Sequence, residues 1–412
     1  MNSKLSMVDV RMHGFARRST VDQALCWLED QLAPLPDEFV GLDRAGGRIL
    51  AQNVQSQIDV PGFERAMMDG FAVRAGDTQG ASTYNRLALR IVGESLPALQ
   101  FESQVKPGDA VRIATGAPLP VGADAVLPVE QTELEGGQLA VQAEVCPGKN
   151  VGRRGEDIAC GSVVLERGRL LRPQDLGVLS SIGLPQVPVI RQPRVRVVVT
   201  GNELLPAGSV PKGHQICDAN SPMLAGLIDR DGGIVINPGI VPDEADQIAT
   251  ALRTECDVVL VSGGSSVGPD DYAPMQLAAQ GELAIHGIAM RPSSPAGMGR
   301  LEHRLVFLLP GNPVSCLCAY DFFAGRAIRA LGGRHRDWPY RKTSLPLQRK
   351  LVSAVGRVDY ARVRLVNQGV EPLAIGGASI LSSTTRADGF VIVPGDSEGF
   401  APGMEVEVFL YA

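Results

Sequence analysis

Residues 257–272 read Asp-Val-Val-Leu-Val-Ser-Gly-Gly-Ser-Ser-Val-Gly-Pro-Asp-Asp-Tyr. A short apolar run, 258–261, has the length and β-branched content of a buried strand in a parallel sheet. It runs directly into Ser262, Gly263, Gly264, Ser265, Ser266 and Gly268, and Asp270 and Asp271 close the loop. Glycines let backbone N–H groups converge on one point, which suits an oxyanion. Carboxylates beside such a nest repel a bare phosphate, so the pattern makes sense with a cation between them, and Mg2+ is the usual one. The chemistry implied is a phosphate-bearing ligand held together with a metal. A tight Gly/Ser turn with exposed acids is the other reading of the loop taken alone.

The elements around this loop set its place. Between 194 and 333 strand and helix signals alternate: a β-branched run at 195–199, a helix from Met223 that stops at Gly232-Gly233, strands at 234–236, 283–290 and 305–309, and a long helix from Pro313 to about Leu331. Ser221 followed by Pro222 predicts a helix cap, and Asp243 predicts another for the helix ending at Leu252. Such alternation predicts a mostly parallel sheet flanked by helices, with ligands at the carboxyl ends of the strands. The loops 200–203, 262–271 and 310–315 all fall there. In the last, Gly311 and Asn312 precede Pro313 at the start of a helix, where free amides and the helix dipole favour anions.

The remainder reads differently. Residues 60–147 are short strands broken by Gly and Pro; 148–190 are Gly-rich and charged, then helical from Pro173. Short strands after Trp338 predict a small barrel. The fold class is therefore α/β plus β in a multi-domain chain of 412 residues. Net charge is −6 and aromatics make up 5%, which argues against nucleic-acid and anionic-membrane partners. No apolar run reaches membrane-spanning length and the first 20 residues lack an apolar signal core, so a cytoplasmic protein is expected. Seven scattered cysteines show neither disulfide nor zinc spacing, and Cys316 and Cys318 read as small core residues. The P-loop and dinucleotide glycine fingerprints are absent, and none of the five histidines has ligand spacing.

Four further segments carry candidate chemistry: an acid among apolar residues at 66–72, a hydroxyl turn at 115–118, Arg153-Arg154-Gly155-Glu156-Asp157, and Gly356-Arg357-Val358-Asp359-Tyr360-Ala361-Arg362. Each has a plain alternative: an exposed turn acid, a simple turn, a salt-bridged surface turn and a solvated strand edge. Taken in order with 59–63, 200–204, 262–272 and 310–315, they resemble the MoeA family of molybdopterin molybdenumtransferases, which includes the E domain of gephyrin. The resemblance spans nearly the whole chain.

That resemblance implies a homodimer of elongated four-part subunits: a Mog-like three-layer α/β domain (1–33 with 190–336), a dimerisation domain (34–59 with 148–189), a small β-rich domain (60–147) and a C-terminal β-barrel (337–412). It implies that adenylylated molybdopterin and molybdate give molybdenum cofactor and AMP with a divalent cation, Mg2+. Asp69, Thr115 and Asp157 would face the cleft from the partner subunit, with Glu203 and Asp271 opposite as metal ligands. Asp218 and Asn220 would lie near the pterin nucleotide. Arg362, Ser383 and Ser315 would serve the oxyanion. Other proteins of molybdenum-cofactor biosynthesis are further candidate partners. Where the family usually shows Lys-Pro-Gly-Lys-Pro, this chain has Arg291-Pro292-Ser293-Ser294-Pro295; the first cation is kept as Arg291 and the second becomes Ser294. Asn202 and Gly152 also depart from the family pattern, standing for an acid and a base. A pterin-nucleotide carrier without efficient insertion, and a nucleotide-modifying hydrolase on a Mog-like domain, are the competing readings.

Overall fold

A computed structural model describes residues 18–236, 239–264, 271–374 and 376–411. They form two compact units: one holds Phe39–Gly46 and Leu50–Pro188, and the other takes the rest of the described chain.

The larger unit is built on a sheet whose central strands are Arg194–Thr200, Val258–Ser262 and Arg304–Leu309, all parallel, with Ile234–Ile236 parallel at one edge. Alternate residues of a strand face opposite sides of its sheet, and the core divides accordingly. Val195, Val197 and Val199 pack with Leu224, Ile228, Phe323 and Ile328 on one face. Val198, Val259 and Val261 pack with Ile248, Leu252 and Leu277 on the other. The helix Val21–Glu29, closed by a Thr20–Gln23 capping box, lays Val21, Ala24 and Leu28 into the first cluster.

Three sequence expectations are corrected here. The run 283–290 is two strands, Glu282–His286 and Met290–Arg291. The stretch after it, for which the sequence predicts no element, is a strand, Gly297–Leu301, that pairs antiparallel with both Glu282–His286 and Arg304–Leu309. Its glycines are there for close approach: a Cβ on Gly299 would sit 1.9 Å from the Glu282 carbonyl oxygen. The caps also differ. Helix Asn220–Arg230 is capped by Asp218, not Ser221, because Asp218 Oδ1 accepts from the amides of Asn220 and Ser221 at 2.9 and 3.0 Å. Asp243 turns away from its helix and exchanges hydrogen bonds with Asn202.

The long helix is interrupted by one π turn, Tyr320–Ala324, between Pro313–Ala319 and Gly325–Leu331. A π turn releases a carbonyl from the ladder, and Trp338 Nε1 donates to that of Asp321 at 2.7 Å. The C-terminal strands form a ring in the order Gly369–Ala374, Val358–Val366, Gly389–Val393, Glu405–Leu410, Arg341–Pro346. A bridge between Leu347 and Val370 joins the last strand back to the first, and Leu347, Val363, Val391, Val393, Val406 and Val408 fill the interior. Strand Met290–Arg291 adds in parallel to this barrel, with Arg291 opposite Asp359.

In the smaller unit six strands pair in the order Ala125–Pro128, Gly70–Val73, Asp109–Ile113, Leu87–Ser95, Gln138–Val141, Thr132–Glu135. Two-stranded ribbons, Val54–Gln55 with Val163–Leu165 and Arg65–Ala66 with Val151–Gly152, lie beyond that sheet, followed by the helix Pro173–Ser181.

Candidate active site

The carboxyl ends of the central strands carry a polar cradle. Strand Val258–Ser262 delivers Ser262, buried, beside Asn220 at the start of its helix. Asn220 Nδ2 donates to Ser262 Oγ at 2.9 Å and to the Gly311 carbonyl at 2.7 Å. Because a carbonyl can only accept, this fixes the amide and leaves Asn220 Oδ1 buried with no partner. Thr200 Oγ1 and Ser221 Oγ are buried without partners in the same region. A buried acceptor or hydroxyl with no partner is costly unless a ligand or water completes it. Gly263, at φ +99°, is required by the close approach of strand ends: a Cβ there would stand 2.3 Å from the Thr200 carbonyl oxygen. Ser262 Oγ also donates to Cys316 Sγ at 3.7 Å, and burial raises the Cys316 thiol to about 12, so it remains protonated and inert.

Of the sequence-predicted residues, Asp218, Asn220, Ser262, Gly263, Gly264 and Gly311 are brought together in this cradle. Ser265 and Gly268, with Ser266 and Asp270, lie outside the described residues. On either side of that segment, the Ala273 amide donates to the Gly264 carbonyl at 3.3 Å. This puts half-buried Asp271 two residues from that contact. Glu203 is exposed, in the turn after Thr200. Among the described residues no group of three acids, histidines or cysteines could hold a metal. Mg2+ does not require one, since it commonly takes one or two protein carboxylates and fills its shell with water and substrate phosphates.

Asp218 has a structural share in this arrangement. Replacing it with alanine removes the acceptor for two helix amides, and we expect a stability loss of about 1 kcal/mol, seen as a fall of a few degrees in Tm. Loss of nucleotide affinity without any change in Tm would contradict the capping geometry.

A second cavity, a cleft of ≈ 790 Å³, adjoins the cradle through the 310–315 turn. It is lined by Pro310, Asn312 and Ser315, by Arg291, Ser293 and Ser294, and by Arg18, Arg357 and 376–378. Asn312 stands at the helix N-cap position but its side chain makes no cap bond. Ser294 Oγ and Arg291 Nε are buried without partners. Ser293, at φ +89°, donates from Oγ to the Ser315 carbonyl. Arg362 is not on a solvated strand edge: it is fully buried, donates from Nη2 to the Gly376 carbonyl, and keeps Nε and Nη1 unpartnered. Burial lowers its pKa, and a guanidinium remains charged regardless. Ser383 is buried and donates to the Ile380 carbonyl at 2.6 Å.

In the smaller unit Asp69 and Thr115 meet. Thr115 donates its amide at 2.7 Å and its hydroxyl at 2.9 Å to Asp69 Oδ1. These two bonds, the amide first, hold the Asp69 carboxyl below its ordinary pKa. Asp69 borders a cleft of ≈ 410 Å³ with Phe71, Leu96, Ile113 and Leu134. Asp157 is exposed. The segment before it is the salt-bridged turn of the plain reading, with Arg154 Nε on Asp59 Oδ2 at 2.7 Å and Arg65 near Glu156 at 3.4 Å.

Sequence reasoning missed Asp359, Arg18 and Ser293. Asp359 lay inside a quoted segment but no local pattern marks it as a partner of Arg291; their pairing is made by strand register 68 residues apart.

Comparison with known proteins gives matches along the chain to the MoeA N-terminal region (domains I and II) over residues 19–183, a probable molybdopterin-binding domain over 196–330 and the MoeA C-terminal region (domain IV) over 344–411. A molybdopterin molybdenumtransferase of Haemophilus influenzae is 33% identical over 399 residues, covering 94% of this chain and 98% of that protein. A putative molybdopterin biosynthesis protein of Methanocaldococcus jannaschii is 32% identical over 90% of this chain and 91% of its own length. The crystal structure of the molybdopterin-biosynthesis MoeA protein from Pyrococcus horikoshii superposes with a TM-score of 0.82 at 33% identity, covering 96% of this chain and all of that one. With relatives at this identity matched from end to end, the chain belongs to the MoeA family.

Proposed function

We propose that this protein inserts molybdenum from molybdate into adenylylated molybdopterin, releasing AMP and molybdenum cofactor. The observation that carries the reading is a shared turn: Gly311 accepts the hydrogen bond that orders the Asn220–Ser262 cradle, while its neighbours Pro310 and Asn312 line the cationic cleft. A nucleotide phosphate and a tetrahedral dianion could thus be held side by side.

In this reading the cradle residues Asp218, Asn220, Ser262, Gly263, Gly264, Ser265, Gly268 and Gly311 hold the pterin nucleotide through amides and hydroxyls. Asn312, Ser315, Arg291, Ser294, Arg362 and Ser383 serve molybdate. Glu203 and Asp271 would hold Mg2+, which when bound neutralises charge on the phosphate oxygens. The bond to be broken joins two phosphoryl groups, so its hydrolysis takes up one water for each AMP released, while an oxo group displaced from molybdate by the pterin's two thiols leaves with their protons as water. What the chain supplies is orientation and positive potential in a partly enclosed site. Asp69, Thr115 and Asp157 would act from the second subunit of a homodimer formed through 34–59 and 148–189. Among the described residues no helix is long and apolar enough to cross a membrane, and a cytoplasmic location suits a biosynthetic role.

The test is AMP release from adenylylated molybdopterin with and without molybdate. Insertion predicts release that depends on molybdate and saturates with it. Nucleotide that stays bound with molybdate present, or AMP released at the same rate without it, would refute the proposal.

A further inference from the structure

Among the described residues, the ≈ 790 Å³ cleft is lined by three guanidiniums, Arg18, Arg291 and Arg357, and by no carboxylate. Three like charges converging on one space need something to hold them. Asp359 stands behind two of them. It is fully buried and not part of the cleft wall. Its Oδ2 accepts from Arg291 Nη2 and from Ser353 Oγ at 2.7 Å, and its Oδ1 accepts from Arg357 Nε at 3.2 Å. Both oxygens are therefore engaged, and the arginines lie between this carboxylate and the cleft.

The bonds made by each fork matter as much as their number. A guanidinium presents five donors in a rigid plane. Arg357 spends only Nε on Asp359, which leaves both Nη groups available while fixing the plane from its root. Arg291 spends Nη2, and its Nε is buried with no partner. Three guanidiniums less one carboxylate leave two positive charges, the complement of a dianion. Residue 294 contributes a hydroxyl and no charge to the same wall.

We propose that Arg357 is a second cation contacting the oxyanion in this cleft, and that Asp359 is the positioning residue that aims Arg291 and Arg357 into it. The inference rests on the reading of the cleft as the molybdate site. It assigns to Arg357 the charge that Ser294 cannot supply, and it explains why an arginine suits position 291. A fork can bond Asp359 with one nitrogen and keep others for a ligand, whereas an ammonium is a single point charge.

The experiment uses the full chain in the AMP-release assay at varied molybdate, with Arg357→Gln, Asp359→Asn and Arg291→Gln. Losing one charge-assisted contact should raise the molybdate KM of Arg357→Gln about tenfold, more than it lowers kcat, and leave the KM for adenylylated molybdopterin in place. Asp359→Asn should move the same constant in the same direction, and Asp359→Glu should restore part of it. An Asp359→Asn enzyme that loses thermal stability with an unmoved molybdate KM makes the residue a mere tie between strands and overturns the positioning claim. An unmoved molybdate KM in Arg357→Gln overturns the inference whether or not the Asp359 variants fold. If Arg291→Gln raises the molybdate KM and Arg357→Gln does not, this inference alone falls. If none of the three variants moves it, the cleft is not the oxyanion site and the reading beneath falls as well.

Discussion

Asp271→Ala should lower turnover by roughly 100-fold, equivalent to about 2.7 kcal/mol of transition-state stabilisation, while the protein unfolds at an unchanged temperature. The expectation follows from where the residue stands. It is half-buried at the end of the glycine-rich loop, and the Ala273 amide bonded to Gly264 keeps it beside the cradle. Breaking a bond between two phosphates concentrates negative charge on oxygens that already carry it, and a cation held at that place is the usual answer. In the proposed reading Glu203 is the companion ligand, so removing Asp271 would take away half of the protein's contribution to that cation. Initial rates measured across a Mg2+ series would separate two outcomes. A rate recovered at high Mg2+ places the carboxylate on the metal. A rate lost at every Mg2+ concentration places it on the reacting water or phosphate. Turnover within about threefold of the parent enzyme would remove Asp271 from the site. The asparagine variant is the useful companion, because it keeps the volume and loses only the charge.

The parts of this site that were legible in the sequence are those in which local chemistry and local structure coincide. Ser262-Gly263-Gly264 follows an apolar strand, and Gly311-Asn312-Pro313 precedes a helix. Both are punctuation that a strand–turn–helix requires, so both could be placed on the carboxyl edge of the sheet from spacing alone. What remained hidden depends on register and on partners remote in sequence. The strand Gly297–Leu301 offers no strand pattern to read, because its glycines are needed for contact with Glu282–His286 and carry no side chains. Asp243 and Ser221 are good capping residues that have other positions to fill, while the real cap, Asp218, lies two residues ahead of its helix. For Arg362 the segment alone keeps a solvated strand edge open beside the oxyanion role, since a buried arginine leaves no trace in a pattern of alternating polarity. Its burial is set by the loop at 376–378, which reaches over to meet the helix that starts at Pro313 through the Val314 amide on the Ala378 carbonyl. Asp359 is the sharpest case. Its meaning comes from the parallel pairing with Arg291 together with the bonds from Arg357 and Ser353, none of which a local pattern announces.

The largest expected effect on stability lies away from the cleft, in Asp231→Ala. Asp231 is 1% exposed and follows the helix Asn220–Arg230. It accepts from Arg230 Nη2 at 2.9 Å and from the Tyr320 hydroxyl at 3.0 Å, and Arg329 Nη1 lies 3.0 Å away as an ion pair. Arg329 is itself 3% exposed. Deleting the acid leaves that guanidinium buried without its counter-charge, a situation that costs about 3–5 kcal/mol. For a unit of this size the change corresponds to a drop in Tm of roughly 10 °C. The damage should also spread. Arg230 bonds Asp321 and the Tyr340 hydroxyl, and Tyr340 in turn packs edge-on against Phe390 of the barrel. The network is therefore one of the ties between the α/β core and the C-terminal ring. Since strand Met290–Arg291 is shared between those two parts, loosening the tie should weaken the cleft wall as well. Thermal unfolding followed alongside molybdate-dependent AMP release would show both effects together. Replacing Asp231 and Arg329 at once with leucine and methionine provides the decisive control. If the single loss arises from an uncompensated charge, the apolar pair should recover most of the stability. A double variant as unstable as the single one would mean that packing, not electrostatics, holds this corner of the fold.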